Sequence, residues 1–175
     1  MARIELSLHV AAPQERCFDL ARSIEAHTHS TSATGERAVG GKTSGLLSLG
    51  DSVTWRARHL GVWQKLTSRI TAYERPDHFR DSMESGAFAS FDHDHFFAPT
   101  AGGTLMRDVF EYRAPFGLLG RVAERLFLTA YMKRFLQRRM YELRDLAESN
   151  EWSRFVPHPI PKNAGTEIEK SSKRE

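Results

Sequence analysis

The stretch RVAERLFLTAYMKRFLQRRMYELRDLAES, residues 121–149, decides the fold. Its less polar residues recur every three or four positions, which is the period of an α-helix that buries one side. The stripe consists of Val122, Thr129, Met132, Leu136, Met140, Leu143 and Ala147, widened by Leu126, Phe135 and Leu146. This spacing predicts an amphipathic helix of about thirty residues, which is about 45 Å long at the usual rise. Such a helix needs a large apolar surface to cover its stripe.

The chain that precedes this helix supplies that surface as strands. The segment RIELSLHV, residues 3–10, alternates apolar and polar residues as a half-buried strand does. Residues 11–35 predict two short helices, with Pro13 in the first helical turn. Residues 36–113 predict six further strands, separated by glycine and proline turns. We therefore predict an α+β fold in which an antiparallel seven-stranded curved sheet wraps around the long C-terminal helix.

One domain accounts for most of the chain. The 175 residues are enough for a single core, and we place that domain at residues 1–150. Residues 151–175 include the run PHPIPKNAGTEIEKSSKRE, in which prolines and charged residues dominate. This composition predicts a polar, flexible C-terminal tail.

Composition restricts the location and the partners of the protein. The net charge of +3 is small and no row of aromatic residues suited to stacking on bases is visible, so we expect no nucleic-acid partner. The arginines of the last helix are typical of a solvated face, with contact to an anionic membrane surface as a lesser alternative. Cys17 is the only cysteine and the N-terminus has no secretory apolar run, so we expect a cytoplasmic protein.

Several segments resemble those of one large superfamily. They are GKTSGLLSLGDSVTWRARHLG (41–61), HFRDSMESGAF (78–88), FDHDHFF (91–97) and GGTLMRDVFEYRAPFGLLG (102–120). With the order of elements, they make residues 2–149 similar to the Bet v 1/START-like superfamily, and more closely to its bacterial ligand-binding and polyketide-cyclase-like branch. The resemblance implies the helix-grip fold and a small hydrophobic or amphipathic ligand held between sheet and helix. It implies no catalytic residues.

The direction of the two histidines in SFDHDHFF, residues 90–97, follows from strand alternation. We expect this strand to form a hairpin with residues 104–113, with Phe97 opposite Thr104, so that His93 faces Asp108. One face then carries Phe91, His93, His95, Phe97, Met106, Asp108, Phe110 and Tyr112. The opposite face is more charged and belongs to solvent. The histidines are therefore predicted to point toward the helix.

Neighbouring strands add further inward-facing groups. Alternation in DSVTWRARH, residues 51–59, turns Trp55 and His59 inward, and pairing across Gly86 places Asp81 beside His93. The candidate binding residues are Trp55, His59, Asp81, Phe91, His93, His95, Asp108, Phe110, Tyr112, Met132 and Phe135. Polar groups among apolar walls are typical of a small-molecule pocket.

Four interpretations of the polar groups stay open. They could be the polar end of a ligand pocket, or His93 and Asp108 could be a satisfied buried pair without a function. His93 and His95 could bind a metal with a nearby carboxylate, although no motif such as HExxH supports this. His93 and Asp108 could also act as a general base in a cyclase or dehydratase. We favour binding of a small hydrophobic or amphipathic molecule and expect no cofactor.

Overall fold

The structure, a computed structural model, describes residues 1–115, 117, 122 and 124–156. It contains an antiparallel sheet of seven strands in the order β1-β7-β6-β5-β4-β3-β2. The strands are β1 (Ala2–Val10), β2 (Arg37–Gly41), β3 (Ser52–His59), β4 (Val62–Glu74), β5 (His78–Ser85), β6 (Ser90–Thr100) and β7 (Gly103–Arg113). The predicted α+β architecture, with a seven-stranded antiparallel sheet and a long C-terminal helix, is confirmed.

Two short helices follow β1, as predicted. They are α1 (Gln14–Ala21) and α2 (Ile24–Ser30), and a 3-10 turn at Ser32–Thr34 leads into β2. The side chain of Ser23 accepts a hydrogen bond from the backbone N–H of Ala26 and so caps the start of α2. The α1 helix buries Phe18, whose ring makes edge-on contacts with aromatic rings of β4, β5 and β6. These contacts fix α1 against the sheet.

The C-terminal helix contains a π-helical turn that the sequence did not predict. Its regular part, α3, spans Thr129–Glu148 and is preceded by a π-helical turn at Glu124–Leu128. The predicted stripe is buried from Met132 onward, but Val122 and Leu126 are 56% and 74% exposed. Residues 116, 118–121 and 123, where the predicted helix began, lie outside the described residues.

No helix in the described ranges combines the length and the hydropathy that are needed to cross a bilayer.

The hairpin of β6 and β7 is tighter than predicted. A two-residue loop joins Thr100 to Gly103, and the register is shifted by two residues from our expectation. His95, not His93, is therefore opposite Asp108, and His93 is opposite Phe110. Because side chains alternate with a period of two, this shift leaves every side chain on its predicted face.

The predicted partner of His93 on the other neighbouring strand is correct, since Asp81 of β5 lies directly opposite it.

The packed part of the chain extends beyond the boundary that we predicted at residue 150. Residues Asn150–Arg154 form a 3-10 turn, and Val156 is only 5% exposed within the core around α1. Ser23 Oγ donates a hydrogen bond of 2.8 Å to the carbonyl oxygen of Phe155. Residues 157–175 lie outside the described residues. Residues 150–156 therefore belong to the packed part of the chain.

Introducing a carboxylate at two positions tests this boundary. Val156→Asp should lower the free energy of unfolding by at least about 2 kcal/mol, because an unpaired charge is moved into an apolar core. Asn150→Asp introduces the same charge at an exposed position and should change it by no more than about 0.5 kcal/mol. Urea unfolding measures both, and equal effects would show that Val156 is not part of the packed domain.

Candidate functional site

A cavity of about 680 Å³ lies between α3 and the inward face of the sheet. Its volume is within the usual range for small-molecule sites, about 300–1,000 Å³. The walls are mainly apolar and include Trp55, Ile70, Phe79, Phe91 and Phe110 from the sheet and Met132, Phe135 and Leu136 from α3. The helix therefore covers the sheet without filling the space between them.

Four charged or titratable side chains form a cluster at one side of this cavity. Nδ1 of His95 lies 3.0 Å from Oδ1 of Asp108, and Nε2 of the same ring lies 3.2 Å from Oδ2 of Asp81. Nε2 of His93 is 3.4 Å from Oδ2 of Asp108, without the geometry of a hydrogen bond. Nδ1 of His93 is 3.9 Å from Oδ2 of Asp81. Each imidazole is thus placed between the same two carboxylates.

The protonation states in this cluster follow from burial and from the close charges. Burial works to raise the pKa of Asp108, but the two imidazoles outweigh it and hold that pKa well below its usual range. Burial works to lower the pKa of His95, but Asp108 and Asp81 outweigh it and raise that pKa. Burial, and next the charge of His95, lower the pKa of His93. Of the two imidazoles, His95 therefore holds a proton more readily than His93.

A second polar group borders the cavity near β2 and β3. Nδ1 of His59 lies 2.8 Å from the hydroxyl oxygen of Tyr131 on α3. The ring of His27, from α2, stacks on Trp55 with centroids 4.0 Å apart. Nε2 of His27 lies 3.4 Å from Oε1 of Glu36, a buried carboxylate next to β2. This contact joins α2 to the start of β2.

Arg139 places a buried guanidinium on the cavity wall. The residue is 6% exposed, and Nη2 donates a long hydrogen bond of 3.4 Å to the carbonyl oxygen of Ala21. Its Nε has no hydrogen-bond partner among the described residues. A buried cation with so few hydrogen bonds is costly for the folded state unless another group satisfies it.

Three residues that border the cavity were not predicted from the sequence: Arg139, His27 and Glu36. Arg139 occupies a position of the apolar stripe, three residues after Leu136 and four before Leu143, and this spacing could have identified it. His27 and Glu36 lie in a polar segment without periodicity, and no sequence signal pointed to them.

Most of the predicted site residues border the cavity. They are Trp55, His59, Asp81, Phe91, His93, His95, Phe110, Met132 and Phe135. Two predicted residues do not line it. Asp108 lies behind the two imidazoles, and Tyr112 is fully buried, with its hydroxyl 2.8 Å from Oγ1 of Thr129. In the observed register, Asp108 is opposite His95 and Tyr112 is opposite Phe91.

An open antiparallel sheet that holds a long C-terminal helix defines the helix-grip proteins of the Bet v 1/START-like superfamily. Within it, a family model described as polyketide cyclase / dehydrase and lipid transport matches residues 1–148. The chain belongs to that family. No protein of curated function matches the sequence.

Solved structures with low sequence identity share the fold. A protein of Thermus thermophilus is 16% identical, with a TM-score of 0.68 over 82% of this chain and 95% of that one. Major latex-like protein 151 of Panax ginseng is 13% identical, with a TM-score of 0.64 over 85% and 98% of the two chains. A START superfamily protein of Mycobacterium smegmatis is also 13% identical, with a TM-score of 0.64 over 83% and 97%. At these identities the likeness concerns the fold alone.

Replacing Asp108 tests the electrostatics of the cluster. Asp108→Asn keeps the shape but removes the charge that both imidazoles face, so it should lower the free energy of unfolding at pH 7 by about 1–3 kcal/mol. The folded pKa of Asp108 is below the value of about 3.9 in an unfolded chain. Its contribution is therefore complete above about pH 4 and is lost as the pH falls further.

The difference in stability between Asp108→Asn and wild type should accordingly shrink below about pH 4, as measured by urea unfolding across pH. Glu111→Gln is the matched control, because it neutralises a carboxylate of the same strand on the outer face, beside Arg3. It should cost no more than about 1 kcal/mol. Equal costs for the two variants would contradict the charge network described here.

Proposed function

We propose that the protein binds a small amphipathic molecule in the cavity between the sheet and α3. The observation that carries the proposal concerns four buried side-chain atoms without a hydrogen-bond partner among the described residues. They are Nε2 of His27, Oε2 of Glu36, Nε2 of His93 and Nε of Arg139. All four belong to residues that border the cavity, and three of the atoms remain when Nε2 of His93, which faces Asp108 behind the wall, is set aside. Buried polar groups are normally satisfied, so a concentration of exceptions around one space favours a polar partner in it.

The walls favour a ligand whose remaining part is apolar. Aromatic and aliphatic side chains make up most of the lining, whereas the polar groups are confined to a few positions. Burial of apolar ligand surface contributes about 25 cal/mol per Å², so a ligand that fills such a space gains most of its affinity from these walls. The few polar groups would orient it.

Arg139 favours a ligand with a negative group at its polar end. Two buried arginines, Arg22 and Arg139, are among the described residues that line the cavity. Arg22 is already paired with Asp19, its Nη2 lying 2.7 Å from Oδ1. Arg139 therefore has the greater unused capacity to donate hydrogen bonds to a carboxylate or sulfonate.

Binding is better supported than catalysis by a His–Asp general base. Both nitrogens of His95 lie within hydrogen-bond distance of carboxylate oxygens, so each is placed to donate a proton and not to accept one. His93 also borders the cavity, and burial lowers its pKa. A cyclase-like reaction is therefore the second candidate and would depend on His93 as the base.

Blocking the cavity tests the location of the binding site. Ala57 faces the cavity from β3, and Ala57→Phe should fill part of it with a ring. We expect at least a tenfold loss of affinity for N-phenyl-1-naphthylamine, a neutral apolar fluorophore, in fluorescence titrations. Ala130→Phe makes the same change at an exposed position of α3 and should leave the affinity within about twofold. Unchanged binding to Ala57→Phe would place the probe elsewhere.

Neutralising Arg139 tests the class of ligand. Arg139→Met should weaken binding of 8-anilino-1-naphthalenesulfonate, which carries a sulfonate, by about tenfold or more, because a charge-assisted hydrogen bond is lost. The affinity for neutral N-phenyl-1-naphthylamine should change by less than about threefold. Arg138→Met removes an exposed neighbouring arginine and should affect neither titration. An equal loss for both probes would make Arg139 a structural residue.

A further inference from the structure

We propose that Asp81, His93 and His95 form a binding site for a divalent transition-metal ion at the polar side of the cavity, and that Asp108 orients the two imidazoles behind it. One ligand atom from each of the three residues can be chosen so that all three lie within 4.8 Å of one another. The three side chains come from adjacent strands, since Asp81 of β5 is paired directly with His93 of β6. All three border the cavity.

Two distances in the cluster are close to those between the ligands of one metal ion. Ligand atoms about 2.1 Å from a metal are about 3.0 Å apart at right angles and about 3.4 Å apart in a tetrahedron. Nε2 of His95 is 3.2 Å from Oδ2 of Asp81, and Nδ1 of His93 is 3.9 Å from the same oxygen. His93 would need to approach by less than about 1 Å, which a small side-chain rotation can provide.

Asp108 supplies the support that metal-binding histidines usually have. Such a histidine commonly donates its second ring N–H to a carboxylate, which fixes the tautomer and the ring orientation. Here one carboxylate faces both rings, through Nδ1 of His95 at 3.0 Å and Nε2 of His93 at 3.4 Å. With those nitrogens directed toward Asp108, the other nitrogen of each ring is directed toward Asp81.

His93 is the observation that distinguishes this cluster from a complete ion-pair network. The residue is 6% exposed, its Nε2 lacks a hydrogen bond, and its Nδ1 is too far from Asp81 to form one. If Nε2 carries the proton that faces Asp108, a nitrogen lone pair and a carboxylate oxygen face one another across the 3.9 Å gap. A cation bound by both atoms would remove that conflict.

The donor set indicates the class of metal. Two imidazoles and one carboxylate suit Fe²⁺, Co²⁺, Mn²⁺ or Zn²⁺, whereas Ca²⁺ and Mg²⁺ prefer oxygen ligands. Three protein ligands leave further coordination positions on the cavity side. This step rests on the proposed binding function: oxygen atoms at the polar end of the bound ligand would occupy these positions. The metal would take the place of the proton on Nε2 of His95, and that proton would be released to solvent.

Cobalt titration of untagged, chelator-treated protein tests the site. We expect one Co²⁺ per chain, with visible absorption typical of nitrogen and oxygen ligands and a dissociation constant in the micromolar range or below. His93→Ala, His95→Ala and Asp81→Asn should each weaken binding by at least a hundredfold. Asp108→Asn should weaken it by about tenfold to a hundredfold, which is the usual effect of a residue that supports metal ligands.

His78→Ala is the matched control. His78 is also paired with a carboxylate, its Nε2 lying 2.7 Å from Oδ1 of Asp94, but on the outer face of the sheet. Its replacement should change the affinity for Co²⁺ by less than about twofold. Absence of stoichiometric Co²⁺ binding to wild-type protein, or equal binding by wild type and the His93→Ala variant, would overturn the proposal and leave the cluster a proton-holding ion-pair network.

A measurement on wild-type protein covers the case in which the variants do not fold. Substoichiometric Mn²⁺ should broaden the imidazole NMR signals of His93 and His95 before those of His78 and His9, which lies on β1 beside Thr100. Broadening of all histidines together would also contradict the site. N-phenyl-1-naphthylamine binding to the chelator-treated protein reports on the cavity independently, so failure of the metal site and failure of the proposed ligand binding can be distinguished.

Discussion

The structure depends on one helix that closes two separate apolar cores at once. Leu143 of α3 packs with Phe18 and Phe97 in the larger core, whereas Met132 packs with Phe91 in the smaller one. Between these cores, several long elements carry charged or polar inward residues at the same level. They are Asp81 on β5, His93 and His95 on β6, Asp108 on β7 and Arg139 on α3. This polar layer separates the two apolar cores, and the cavity borders it.

Alternation in the sequence predicted the faces of the strands better than it predicted their partners. His93 and His95 face inward as expected, because a shift of two residues preserves the face of every side chain. The prediction that His93 lies directly opposite Asp108 across the hairpin was wrong, because we overestimated the length of the loop that fixes the strand register. Arg139 was missed for a different reason. A charged residue on an amphipathic helix was assigned to solvent, although its position lies between two buried leucines.

The polar layer has a cost that the rest of the fold must offset. Removing a charged group from water destabilises the folded state by several kcal/mol unless a close partner compensates for the lost hydration. The free energy of unfolding of a native domain is only about 5–15 kcal/mol. Asp108 and His95 compensate one another, but Arg139 and Glu36 each retain an atom without a hydrogen bond among the described residues. Hydrophobic side chains at these positions would give a more stable protein with a filled interior. The buried charges are therefore consistent with the ligand binding that we propose for this cavity.

The asymmetry of the two cores also determines how the interior can exchange its contents. Beyond its C-terminal end, α3 is held by the 3-10 turn and by Val156 in the larger core. Its other end follows a π turn in which Leu126 and Phe127 are exposed, and among the described residues it packs in the smaller core. The packing among the described residues therefore differs at the two ends of α3. For the binding that we propose, separation of the sheet from the end of α3 that follows the π turn would expose only a fraction of the buried apolar area, so that a ligand would enter or leave without global unfolding.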